Sequence, residues 1–148
     1  MVKSKKQKAL DEELLRECGG YRTTDIKPDG AYIQIGGCFY NINKIKRLIE
    51  AGANVRVKTN NGFTPLHYAS GNGYTELAKL LIEAGADVNA KNKYDSTPLH
   101  VADNVELAKL LIDSGADVSA KNKWDRTPLH LANNIEMAKL LIEAGAIK

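Results

Sequence analysis

The chain has three histidines, His67, His100 and His130, and each stands in the same tetrapeptide, TPLH, beginning at Thr64, Thr97 and Thr127. Imidazoles repeated in one context would form a column, a tempting arrangement for a metal or for acid–base work. The rest of the chemistry is missing. No nucleophile has an adjacent histidine and a spaced acid beyond what the repeated tetrapeptide provides, and there is neither a GxGxxG after a strand nor a P-loop. Cys18 and Cys38 fit no metal spacing. The expectation is no catalytic residue, no metal and no cofactor.

The totals set outer limits. At 148 residues, 43% hydrophobic and 26% charged, the chain has the composition of a folded domain or a short array. A net charge of +3 is too small to point to nucleic acid or membrane. No apolar run approaches the length of a membrane-spanning helix. The opening MVKSKKQKALDEELLREC turns from basic to acidic with no hydrophobic stretch after it, which does not read as a secretory signal. Two thiols suit a reducing compartment, with a Cys18–Cys38 disulfide as the alternative.

What positions the histidines is a repeat. Glycines of a small-Gly-Ala turn stand at Gly52, Gly85, Gly115 and Gly145, at spacings of 33, 30 and 30. Thr64, Thr97 and Thr127 suit a helix N-cap, and the proline after each suits the first helical position, where a missing N–H costs nothing. A short inner helix follows, then an outer helix, TELAKLLIEA, VELAKLLIDS or IEMAKLLIEA, with apolar residues such as Leu77, Leu80, Leu81 and Ala84 at helical spacing. Glycine ends it in a left-handed conformation. The segment after it, as in ADVNAKNKYDS, reads as an extended loop. One such unit cannot bury its own apolar face, but stacked units can.

T-P-L-H-x-A at about 33 residues resembles the ankyrin-repeat family, whose signature this is. TPLHYASGNGYTELAKLLIEAGADVNAK follows the family pattern along its length; the match is strong over 61–148 and weak over 28–60. The resemblance implies an all-α, helix-turn-helix solenoid with extended loops, and structural histidines that bond near the helix start and between neighbours. Stacked units would set the imidazoles about 10 Å apart, too far to share one zinc. The expected division is an N-terminal helical extension, 1–27, and an array, 28–148. The array comprises a degenerate capping repeat (28–60), a standard repeat (61–93), a short repeat (94–123) and a short truncated repeat (124–148).

The three residues lost from the later copies fall between TPLH and ELAKLL, where YASGNGYT becomes VADNV. Lost from within the outer helix they would rotate its apolar stripe by about 300°; at the turn they are absorbed. Repeats three and four therefore have shortened inner helices, with Asp103-x-x-Glu106 and Asn133-x-x-Glu136 as N-cap boxes for the outer ones.

At the N-terminal end, the 33-residue register makes AYIQIGGCFYNINKIKRLIEAGA a degenerate helix pair, with Lys44 and Arg47 as polar changes of a cap. The rival is a β-hairpin through Gly36-Gly37. SKKQKALDEELLREC suits an amphipathic helix with Leu10, Leu14 and Cys18 on one stripe: an extra cap on repeat one, or a docking helix. The run Lys3, Lys5, Lys6, Lys8 reads as solvated, with a localisation role as the weaker alternative. The last outer helix keeps Met137, Ala138, Leu140 and Leu141 without a polar change, an edge to be covered by self-association, a partner or the N-terminal arm.

The copies differ most at the loop tips: NNGF, KYDS and KWDR. The resemblance implies that tips and first inner-helix residues form the binding face. By position these are Asn60, Asn61 and Phe63; Lys93, Tyr94 and Ser96; Lys123, Trp124 and Arg126. Exposed aromatics and arginine act as interface anchors; the plainer reading is that Tyr94 and Trp124 pack on a neighbouring loop, and both stand. Asp95 and Asp125 occupy the place of Gly62, a place tolerant of Asp if it needs a positive φ. Lys58, Lys91, Lys93, Lys121 and Lys123 would align as a basic ladder diluted by Asp87, Asp95, Asp117 and Asp125. The function implied is non-catalytic binding of a protein, with an acidic surface as the suggested partner. The alternatives are nucleic-acid binding through the lysine ladder, or inhibition or regulation of an enzyme. The expected place is the cytoplasm, or the cytoplasm of a host cell for a chain from an intracellular bacterium or virus.

Overall fold

The computed structural model describes residues 3–19, 21–22, 33–35 and 38–146, with side-chain surroundings over 3–18 and 41–146. In chain order they form α1 (Lys5–Gly19), β1 (Tyr21–Arg22), β2 (Ile33–Ile35), β3 (Cys38–Tyr40), α2 (Ile42–Glu50), α3 (Pro65–Gly71) and α4 (Thr75–Glu83). Then come a 3₁₀ turn (Pro98–Val101), α5 (Val105–Asp113), a second 3₁₀ turn (Pro128–Leu131) and α6 (Ile135–Glu143). α3 pairs with α4, the first 3₁₀ turn with α5 and the second with α6, and each unit leans on the next to make a solenoid.

The inner elements shorten along the row, from fifteen residues in α1 through seven in α3 to four in each 3₁₀ turn. The lost residues thus leave too little chain for even two turns of α-helix, and the tighter i→i+3 winding closes what remains. The outer helices α4, α5 and α6 are nine residues each. Their caps lie one residue later than the sequence suggests: Asn104 and Asn134, not Asp103 and Asn133, accept from the backbone N–H of Leu107 and Met137 at 2.8 Å. Those two asparagines have the extended backbone a cap requires, and their Oδ1 reaches the third helical N–H. Glu106 and Glu136 still stand in the first turn, favourable to the helix dipole.

A single core runs through the stack. Leu66, Ala69, Leu77, Ala78 and Leu81 are buried, then Leu99, Leu107, Ala108 and Leu111, then Met137 and Leu141. Each fully buried leucine contributes about 1.5–3 kcal/mol.

The N-terminal part departs from the helix-pair expectation. Residues 33–40 form strands: β3 pairs antiparallel with β2 (Ile33↔Tyr40, Ile35↔Cys38) and with β1 (Tyr21↔Phe39), in the order β1-β3-β2. The hairpin reading holds for these strands; the Gly36-Gly37 turn lies outside the described residues. β-branched and aromatic residues favour the extended form, and the inner place beside α2 is already taken. α1 packs against both α2 and α3. Leu14 and Cys18 are fully buried, with Leu10 packed at the edge.

Polar bonds fix α1 in that place. Gln7 Nε2 donates to the Gly52 carbonyl (2.9 Å), and Asp11 Oδ1 accepts from the Asn54 N–H (2.7 Å). Between later units one side chain does both: Asn89 Nδ2 donates to the Gly115 carbonyl (3.0 Å) and its Oδ1 accepts from the Asp117 N–H (2.7 Å). Gln7 and Asp11, themselves bonded at 2.8 Å, reproduce with two side chains the contact a preceding loop would make. Lys44 is not an outward-facing cap residue. Its Nζ lies 2.8 Å from both Glu13 and Glu17 of α1, and those carboxylates hold its ammonium well above the usual lysine range.

Candidate functional site: the loop tips

The tips are built from one local rule. The N–H groups of Thr59, Asn92 and Asn122 donate to the carbonyls of Phe63, Ser96 and Arg126, closing each tip. Asn92 Oδ1 accepts from the N–H of Tyr94 and Ser96, and Asn122 Oδ1 from those of Trp124 and Arg126. Asn92 and Asn122 are therefore the turn organisers, visible in the sequence as the repeated KNK. The turn requires a positive φ at its fourth residue: +79° at Gly62, +57° at Asp95 and +58° at Asp125. At Gly62 a side chain has no room as well, since a Cβ would meet Asn92 Cα and Lys93 N at 2.9 Å.

Neighbouring tips are tied together. Lys93 N–H donates to the Asn61 carbonyl and Lys123 N–H to the Tyr94 carbonyl, each at 2.9 Å. Asn61, Tyr94 and Trp124 thus form one column. The Tyr94 and Trp124 rings stack, with centroids 5.7 Å apart and planes 23° apart, and Lys93 Nζ stands 4.9 Å from the Tyr94 centroid. Tyr94 is half-buried, whereas Trp124 is 61% exposed.

Of the other candidate residues, Asn60, Asn61, Lys93, Lys123 and Arg126 are exposed. Phe63 is half-buried, edge-on to His67 and tilted against Tyr68. Ser96 is buried; its carbonyl, not its hydroxyl, carries the contact the fold uses. The lysine ladder is partly spent on scaffolding. Lys58 Nζ donates to the Lys91 carbonyl (3.0 Å), and Lys121 pairs with Asp125 at 3.0 Å. Asp87 and Asp117 cap turns, accepting from the N–H of Asn89 and Ser119.

The histidines are tie-bars behind the tips. His67 Nδ1 lies 3.1 Å from the Thr64 N–H that donates to it, and Nε2 donates to the Ser96 carbonyl at 2.9 Å. His100 repeats this with Thr97 and the Arg126 carbonyl. With Nε2 facing a carbonyl and Nδ1 facing an N–H, each ring is a neutral Nε2–H tautomer with no lone pair left for a metal. Burial holds both below the ordinary imidazole range, against the opposing pull of the accepting carbonyls. His130 makes the same bond to Thr127, but its edge is exposed. Cys18 is a free, buried thiol that burial and then Glu17 push far above the usual range.

Against known families, the model for ankyrin repeats matches in three copies, over residues 33–122 and 92–148. The chain belongs to the ankyrin-repeat family. No curated protein matches it. Ankyrin repeats are generally protein–protein interaction modules and typically non-catalytic. Among the described residues, no helix of this ankyrin-repeat chain is long and apolar enough to cross a membrane.

Proposed function

We propose that this chain is a non-catalytic binding module. It engages an acidic protein partner through its loop tips and the adjoining inner elements, in the cytoplasm or a host cell's cytoplasm. In this reading 28–148 is the array and 1–27 an N-terminal extension, whose helix α1 covers the array's first helices. The face comprises Asn60, Asn61 and Phe63; Lys93, Tyr94 and Ser96; Lys123, Trp124 and Arg126, with Ser96 acting through its backbone. One observation carries the reading: a tryptophan left 61% exposed on a turn made rigid by the Asn122 side chain. Large rigid aromatics of this kind, beside an arginine, dominate interface energetics. A compartment that keeps thiols reduced fits the free Cys18.

The test is capture of partners from a lysate with the wild-type chain and with Tyr94→Ala plus Trp124→Ala. The expected result is a partner retained by the first and lost from the second. Undiminished retention by the double variant would remove the tips from the reading.

A second reading, self-association through the C-terminal edge, is favoured by Leu131, Ile135 and Ile142, which are 39%, 74% and 49% exposed. Light scattering should give a mass above one chain at high concentration, falling to one chain in Ile135→Asp plus Ile142→Asp. A single-chain mass throughout ends this reading.

A further inference from the structure

We infer that the outer face of the Trp124 indole is a stacking slot for an aromatic side chain flanked by carboxylates, so that the segment this protein takes is an acidic peptide with an embedded aromatic residue. The inference rests on the proposed function and specifies its partner.

Three observations lead there. First, the ring column is finished on one side and open on the other. Lys93 covers Tyr94, Tyr94 covers one face of Trp124, and among the described residues no further ring follows. The array's own spacing shows what fits: a planar group about one stacking distance beyond the indole. Second, the column changes along the array. At the first tip the outer positions hold Asn60 and Asn61; at the second, Lys93 and the half-buried Tyr94; at the third, Lys123, Trp124 and Arg126. Aromatic surface and positive charge both rise towards the open end. Third, the negative charge at that tip is already committed. Asp125 is paired with Lys121, and Asp117 accepts a backbone N–H inside its own loop, which leaves Lys123 and Arg126 exposed and within two residues of Trp124 on the same tip. A cationic or neutral segment would gain the stacking and forgo the charge, whereas carboxylates beside the inserted ring meet both cations.

Trp124 is the chain's one tryptophan, so its emission reports on the slot directly. The full chain is titrated with the acetylated peptide amide Glu-Asp-Phe-Glu-Asp, with the same peptide carrying Ala for Phe, with Lys-Ser-Phe-Lys-Ser, and with oligothymidylate. The acidic Phe peptide should give a saturable change, weakened about tenfold or more by the Ala peptide, by raised salt and by Lys123→Ala plus Arg126→Ala. These charge variants are exposed, so circular dichroism should show them folded. Calorimetry with Trp124→Leu should show the same loss without the fluorophore. No saturable change, an equal response to the basic peptide, or tighter binding of oligothymidylate would each overturn the slot. A lysate partner still lost on mutating the tips while the peptide series fails would sink the slot alone. A partner indifferent to the tips would sink the proposed function with it.

Discussion

The two ends of the array are finished differently. At the N-terminal end α1 lies over the first outer helix and α3, buries Leu14 and Cys18, and meets the exposed backbone groups at Gly52 and Asn54 with Gln7 and Asp11. At the C-terminal end, among the described residues, the same kind of surface stands uncovered: the His130 edge, Ile135 and Ile142. A stacked repeat gains most of its stability from neighbours. Equivalent residues therefore have unequal worth according to which neighbour they have.

The largest effect should come from removing a side chain at the closed end. Leu14→Ala deletes a fully buried leucine from the α1 seam and should cost about 2–5 kcal/mol in urea unfolding. Ile142→Ala at the open end should cost less than about 1 kcal/mol. If the two cost the same, α1 is not a structural part of the array.

The histidines sharpen the same contrast. His67→Ala strands the Ser96 carbonyl and the Thr64 N–H in a buried site and should cost about 1–3 kcal/mol. His130→Ala, in the same tetrapeptide but at the exposed edge, should cost under about 1 kcal/mol. Equal losses would mean that the bond to the next unit contributes nothing.

Acid should act on the interior units. Burial holds His67 and His100 below the ordinary imidazole range, so the unfolded chain takes up protons that the folded chain refuses. Stability is full above about pH 6.5 and declines as pH falls below it. The urea midpoint should drop between pH 7 and pH 5.5, and His67→Gln should flatten that slope. Asp11 is also held low, but for a different reason. Burial alone would raise its carboxyl, but the bonds from Lys3, the Asn54 N–H and Gln7 outweigh it and lower it. Its contribution to the α1 seam therefore holds above the ordinary carboxylate range and fails only in stronger acid.

The smallest effect is a gain. Asn89 bridges to Gly115, but its counterpart at the last interface is Ser119, too short to make the equivalent bond to Gly145. Ser119→Asn should stabilise by about 0.5–1 kcal/mol, read as a raised urea midpoint.

Much of this was legible in the residues. TPLH, the nine-residue outer helices and the terminal glycines are local signals, because caps, proline at the first helical position and 3.6-residue periodicity act within a few residues. The shortened inner elements followed from where residues were missing. The capping asparagines stand one place beyond the sequence expectation, since Asp-Asn and Asn-Asn offer two adjacent candidates and only the backbone conformation chooses. Lys44 looks outward-facing in the sequence because its carboxylate partners lie 27 and 31 positions away, on α1. The tip residues could be numbered from the repeat, yet the stacking of Tyr94 on Trp124 could not.

By itself the sequence determined the repeating unit and its register, since each depends on neighbours along the chain. Only the tertiary structure decided what fills the first inner place, α1 in preference to residues 33–40, and which aromatic is left uncovered. Both depend on which surfaces meet across the stack. A residue's burial there is set by a unit some 30 positions away, a distance over which local propensities carry no information.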